Sequence, residues 1–202
     1  MNPQLKQRIH AFLADPHVQG WCTPEKAEYI AILTLDAAPK QIVEIGVFGG
    51  KSLIPLAMAA QSVGGYVTGI DPWSKEAALE GDIGAENATW WAGLNYEAIY
   101  EGFMGALAKY GVEGNTTVLR MKDTVALPLF ADGTIDILHV DGNHSESVSQ
   151  RYINQWGSKL RSGGYLIMDD TDWASQAATV KLIESRYSKV HSAHSWAVYQ
   201  KT

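Results

Sequence analysis

Asp141 and the pair Asp169-Asp170 each follow an apolar run, Ile135–Val140 and Tyr165–Met168. A strand, a crossover helix and a parallel strand bring both strand ends to the same edge of one sheet. The three carboxylates then converge, which is costly unless a divalent cation or shared protons occupy the space between them. Oxygen ligands of this kind favour magnesium, with manganese or calcium also admissible. The reading is of a hard-metal site held by Asp141, Asp169 and Asp170.

A second constellation surrounds Val43-Glu44-Ile45-Gly46-Val47-Phe48-Gly49-Gly50-Lys51-Ser52, at the end of the strand-like run Gln41–Ile45. A dinucleotide fingerprint needs G-x-G-x-x-G, and Phe48 and Lys51 break that spacing. A phosphate-cradling loop needs four residues between its first glycine and Gly-Lys-Ser/Thr; only Val47, Phe48 and Gly49 are present. A P-loop-like ATPase stays open because Ile137–Asp141 resembles the strand and aspartate that hold magnesium in such proteins. The third reading is S-adenosylmethionine (SAM). Glu44 stands beside the turn for the cofactor's ammonium, and Gly46, Gly49 and Gly50 let the backbone approach without a Cβ clash. Asp71 closes the next strand, 21 residues beyond Gly50, where a carboxylate accepts from both ribose hydroxyls. Asp123, after the third strand, is placed for the adenine amino group. Ser52, Trp73 and Asp141 complete the expected cofactor side.

These groups need a scaffold of alternating elements. Leu5, Ile9, Phe12 and Leu13 have amphipathic helical spacing, and Thr23-Pro24-Glu25 reads as an N-cap, a first-turn proline and an early carboxylate. Strands are expected at Gln41–Ile45, Tyr66–Ile70, Thr116–Met121, Ile135–Val140 and Tyr165–Met168, with helices between. Gly163-Gly164 is expected to end the helix before the last of these. A helix from about Ala174 to Tyr187 precedes a closing hairpin, Lys189–Ser192 with Trp196–Gln200. The fold class is α/β: a single Rossmann-like, doubly wound domain over 1–202, mostly parallel with an antiparallel C-terminal hairpin. Residues 73–110 form a surplus excursion rich in aromatics (Trp73, Trp90, Trp91, Tyr96, Tyr100, Phe103), read either as core or as a lid over the site.

Composition narrows the partners. The chain has 202 residues, 46% of them hydrophobic, which suffices for one substantial core. No apolar run reaches the roughly 20 residues that span a bilayer. The single cysteine, Cys22, cannot close an internal disulfide, and a cytoplasmic location is the expectation. A net charge of −6 without a basic run argues against nucleic acid. The expected partner is a small molecule, and the aromatic excursion leaves a homo-oligomer contact open.

The segments VEIGVFGGKS, YVTGIDPW, DILHVDGNHS and LRSGGYLIMDD resemble, in order and spacing, the successive motifs of class I SAM-dependent methyltransferases. Within that class the chain is most similar to metal-dependent O-methyltransferases. The resemblance implies methyl transfer from SAM to a hydroxyl of a sugar, polyketide or phenolic natural product. Catechol-type members carry a lysine three residues after the first aspartate; this chain has His144, as in the macrolide-sugar enzymes whose Asp-Gly-x-His signature Asp141–His144 resembles. Asn143 is expected to cap the following helix with Glu146 in a capping box. His144 would then sit in the first helical turn, where the dipole disfavours imidazolium and leaves a neutral base. A protein of this fold that only binds, without catalysis, is the remaining alternative.

Overall fold

A computed structural model describes residues 1–202. Helices α1 (Pro3–Leu13) and α2 (Pro24–Ala37) precede the first strand. Asn2 and Thr23 cap them, each side chain accepting from the backbone N–H three residues on, with proline in the first turn. The alternation then runs β1 (Gln41–Ile45), α3 (Leu53–Val63), β2 (Tyr66–Ile70), α4 (Lys75–Ala78), α5 (Ala85–Ala92), α6 (Tyr96–Lys109), β3 (Thr116–Leu119), α7 (Asp123–Ala126), β4 (Ile135–Val140), α8 (Glu146–Trp156), β5 (Leu160–Asp169), α9 (Ala177–Glu184), β6 (Tyr187–Ser192) and β7 (Trp196–Lys201). Pro55 lies in the first turn of α3, where its missing N–H costs nothing.

One seven-stranded sheet has the order β3-β2-β1-β4-β5-β7-β6. Strands β1 to β5 pair in parallel, and β7 inserts antiparallel between β5 and β6. The expected hairpin is therefore present, with its returning strand on the inside. Strand order reverses between β1 and β4, the switch point where open α/β sheets bind ligands. Two buried layers sandwich the sheet. One joins α1, α2, α3 and α6 through Ile9, Phe12, Ile30, Leu53, Ile54 and Phe103; the other joins α8 and α9 through Val148, Ile153, Trp156 and Ile183.

Local expectations fail in two places. Gly163-Gly164 does not end α8, which stops at Trp156 with Gly157 after it. Those glycines lie inside β5, at the register shift that lets Ile135 pair with Leu160 and Ile137 with Tyr165. Asn143 does not cap α8 either: Ser145 holds the N-cap position, and His144 lies just outside the helix. The Asn143 amide instead donates to the carbonyls of Ala77, Ala78 and Glu80, while its oxygen accepts from the Ser145 N–H. It ties the short α4 segment to the end of β4, a long-range demand that outweighs a local cap.

The aromatic excursion divides. Trp73 and Phe103 are buried and stacked with ring centroids 5.6 Å apart, so this half is core. The α5 half buries no residue; its Trp90 and Trp91 join Phe48 and the exposed Trp21 in a cluster of rings 4.8–6.4 Å apart.

Candidate active site

A cavity of about 600 Å³ opens at the C-terminal ends of β1, β2, β4 and β5. Its wall includes Gly46, Ser52, Asp71, Trp73, Asp123, Asp141, His144, Asp169 and Asp170, which brings most of the expected residues together. Glu44, Gly49 and Gly50 do not line it. A Cβ on Gly49 would lie 2.3 Å from the Gln19 carbonyl oxygen, and one on Gly50 would lie 2.5 Å from the Phe103 ring. Those two glycines serve packing of the chain against itself. Glu44 is fully buried behind the wall, accepting from Ser52 Oγ at 2.8 Å, with His139 Nδ1 at 2.9 Å. Both Glu44 and the Ser52 hydroxyl are thereby committed to the interior.

One half of the cavity suits a nucleoside. Asp71 Oδ2 accepts from the N–H groups of Val47 and Phe48, both at 3.0 Å, and Oδ1 accepts from Trp73 N–H at 2.7 Å. Burial pushes this carboxyl up, against the three N–H donors that favour its ionised form. A carboxylate has about four acceptor positions, so roughly one remains, enough for one hydroxyl rather than the expected pair. Asp123 opens α7, is buried, and pairs through Oδ1 with Arg151 at 3.2 Å. Its Oδ2 has no partner. A buried carboxylate oxygen without a donor is expensive, and Asp123 is also part of the cavity wall.

The other half holds the acids, which the structure divides. Asp141, His144 and Asp170 offer ligand atoms within 4.8 Å of one another. His144 Nε2 lies 2.9 Å from Asp170 Oδ2, and Gln176 Nε2 donates to the His144 carbonyl at 2.7 Å, fixing the backbone there. Trp173 stands 5.1 Å from the imidazole. Asp169 also lines the cavity and groups with Asp141 and His139 within the same 4.8 Å, but its Oδ2 is engaged: it meets Lys26 Nζ and lies 2.7 Å from His139 Nε2.

Lys26 and His139 are site residues that the sequence reading missed. Lys26 reaches in from the first turn of α2, is only 4% exposed, and lies 3.9 Å from Asp141 Oδ2. His139, on β4, has a carboxylate at each ring nitrogen, an arrangement that favours the imidazolium, with the Lys26 ammonium 3.3 Å from Nε2 opposing it. Burial and the Lys26 ammonium push its pKa down, but Glu44 and Asp169 more than reverse this and hold it at about 9. The signal for Lys26 was present: it shares the inward stripe of α2 with Ala27, Ile30, Ala31 and Thr34, the only charge there. For His139, an ionisable group amid an apolar strand was the cue. Burial also raises the Asp141 carboxyl, reinforced by the Asp169 charge, while Lys26 and His139 hold Asp169 low despite its burial.

This network makes stability depend on pH. His139 has a folded pKa near 9 against an ordinary value of 6.5, so its contribution is fully present below pH 6.5 and is lost as pH rises through about 9. The shift corresponds to about 3 kcal/mol, or a fall of roughly 6–12 °C in melting temperature for a domain of this size. Melts of the wild type and His139→Gln from pH 6.5 to 10 check it. The expected slope belongs to the wild type alone; equal slopes would mean that His139 is not the group responsible.

Comparison with known proteins follows the same lines. A family model described as a methyltransferase domain matches residues 43–171. The O-methyltransferase ankF of Aspergillus thermomutatus is 25% identical over 150 residues, 74% of this chain and 53% of that protein. The chain thus spans about half the length of this curated relative. Among solved structures, the O-methyltransferase NovP superposes with a TM-score of 0.75 at 16% identity, covering 98% of both chains. TomG of Streptomyces achromogenes, an O-methyltransferase of tomaymycin synthesis solved with SAM, gives 0.67 at 16% identity over 100% of this chain and 91% of its own. At such identities the likeness is one of fold.

Proposed function

The chain belongs to the methyltransferase domain family, and from that premise we propose that it transfers a methyl group from SAM to a hydroxyl of a small molecule, assisted by a divalent cation. The observation that carries this reading is the single cavity with two chemically distinct halves, Asp71 and Asp123 on one side and Asp141, His144 and Asp170 on the other. In-line displacement needs donor and acceptor aligned in one water-poor space. SAM, when bound, supplies an electrophilic methyl on a sulfonium. Asp123 would take the adenine amino group, and Asp71 the ribose.

Asp141 and Asp170 would hold the cation, whose chemistry is to lower the pKa of the acceptor oxygen. Lys26 and His139 already pair with Asp169 and Glu44, which leaves Asp141 and Asp170 as the carboxyl groups available to an ion, and a bound cation would offset the burial that raises the Asp141 carboxyl. His144, whose Nε2 lies 2.9 Å from Asp170 Oδ2, would take the acceptor's proton as the new C–O bond forms and the C–S bond breaks. The aromatic rings of Trp21, Trp90 and Trp173 wall the acceptor side. The ATPase alternative loses its footing, since the chain's family is that of methyltransferases and the Ser52 hydroxyl is spent on Glu44.

Turnover of an acceptor panel with labelled SAM, with and without EDTA, tests the proposal. The expected result is methyl transfer that EDTA abolishes and magnesium restores, with SAM binding largely retained. Full activity of metal-free protein removes the cation; SAM binding without turnover of any acceptor favours a binding protein. For the cofactor half, Asp71→Ala is expected to weaken SAM binding by about 1.5–3 kcal/mol, the scale of a charge-assisted hydrogen bond. An unchanged calorimetric affinity in the folded variant overturns that assignment.

A further inference from the structure

Lys26 is buried in the first turn of α2, where the positive end of the helix dipole disfavours an ammonium. A buried charge persists in such a place only when it is paired. Its partners are Asp169 Oδ2, in direct contact, and Asp141 Oδ2 at 3.9 Å. His139 Nε2 lies 3.3 Å from the ammonium and converges on the same Asp169 oxygen. Asp169 is therefore answered twice over by cations built into the chain, whereas Asp141 has only the more distant Lys26 and Asp170 has neither of them.

We propose that Lys26 is a positioning residue that withholds Asp169 from the divalent cation and thereby limits how tightly the cavity holds that ion. The inference rests on the cation reading above. With Lys26 in place, an entering ion finds Asp141, Asp170 and a nearby ammonium that repels it. Without Lys26, Asp169 keeps His139 as its one remaining cationic partner, its carboxylate is available to the cavity it lines, and the repulsion is gone. Divalent-cation affinity rises with the number of charged ligands, so loss of the lysine tightens binding. A lysine with only a packing role would do the reverse, because its removal would loosen the site.

The test is a Mn²⁺ titration of purified protein, with free ion read by electron paramagnetic resonance. Lys26→Met is expected to bind Mn²⁺ about tenfold or more tightly than the wild type. Lys26→Arg should stay near the wild-type affinity, and Lys26→Met combined with Asp169→Asn should lose the gain. Circular dichroism establishes that each variant is folded; should Lys26→Met fail, Lys26→Gln carries the same expectation. Mn²⁺ binding by the wild type that neither neutral variant tightens overturns the role of Lys26 and leaves the cation reading standing. A gain that survives Asp169→Asn also overturns it, since Asp169 would then not be the recruited ligand. No Mn²⁺ binding by any of these proteins overturns both readings together.

Discussion

His144→Ala is expected to slow methyl transfer by about 10²–10⁴, the usual range for removing a positioned general base, while SAM affinity stays within about threefold. The argument is one of reach and orientation. The imidazole projects from the turn between β4 and α8, its backbone carbonyl is held by Gln176, and Nε2 is engaged by Asp170. An imidazole so placed is within reach of the acceptor's proton, and a carboxylate 2.9 Å away stabilises the imidazolium as the proton arrives. His144→Gln, which keeps bulk and a donor for Asp170 but cannot accept a proton usefully, should be nearly as slow. Single-turnover rates and calorimetry on the same variants separate the chemical step from binding. If His144→Ala turns over at the wild-type rate, the proton leaves by another route, through Asp141, Asp170 or water.

His144 also shows how far the sequence could go. Its distance from Asp141 in sequence was enough to place it beside the acids, because a short turn after a buried strand allows few alternatives. The expected reason for its neutrality was the first turn of α8, and that reason fails, since the helix begins at Glu146. Orientation comes from Asp170, whose backbone has φ of +51°, a conformation no sequence pattern announced. The alternating elements and the mostly parallel sheet with its antiparallel finish were legible because hydrophobic periodicity and a right-handed crossover fix them almost alone. What could not be read was charge pairing across long separations. Lys26 lies 143 residues from Asp169, and His139 lies 95 from Glu44. Such contacts depend on how α2 lies across the sheet, and this lies beyond any local pattern. The same limit explains Asn143, whose partners are on α4 and the residues just after it.

The backbone of the site is held by a closer constraint, and here the largest loss of stability is expected. Gly46→Ala should lower stability by about 4 kcal/mol or more, a range reached only through specific mechanisms such as strain at a special backbone conformation, and thermal melts should fall by roughly 8–16 °C. Two causes combine. Gly46 has φ of +86°, where an L side chain is strained, and its Cβ would lie 2.2 Å from the Asp141 carbonyl oxygen and 2.4 Å from Gly142 Cα. The close approach is required by the sheet: Gly46 N–H donates to Ile70 and Asp141 N–H to Ile45, so the ends of β1, β2 and β4 are drawn together at this residue. Neither neighbour is a flexible side-chain tip, and relief would have to move the turn that carries Asp141 and His144. Gly64→Ala separates the two causes. Its φ is +73°, yet nothing lies within 4 Å of the added Cβ, so it reports strain alone, about 1–2 kcal/mol. If the two variants melt within a degree or two of each other, the contact with Asp141 carries no cost and the close approach of β1 to β4 is not what selects glycine. If Gly46→Ala falls well below Gly64→Ala, the glycine is required by the meeting of the strands that carry the cofactor and acid halves of the cavity, whether or not it ever touches a ligand.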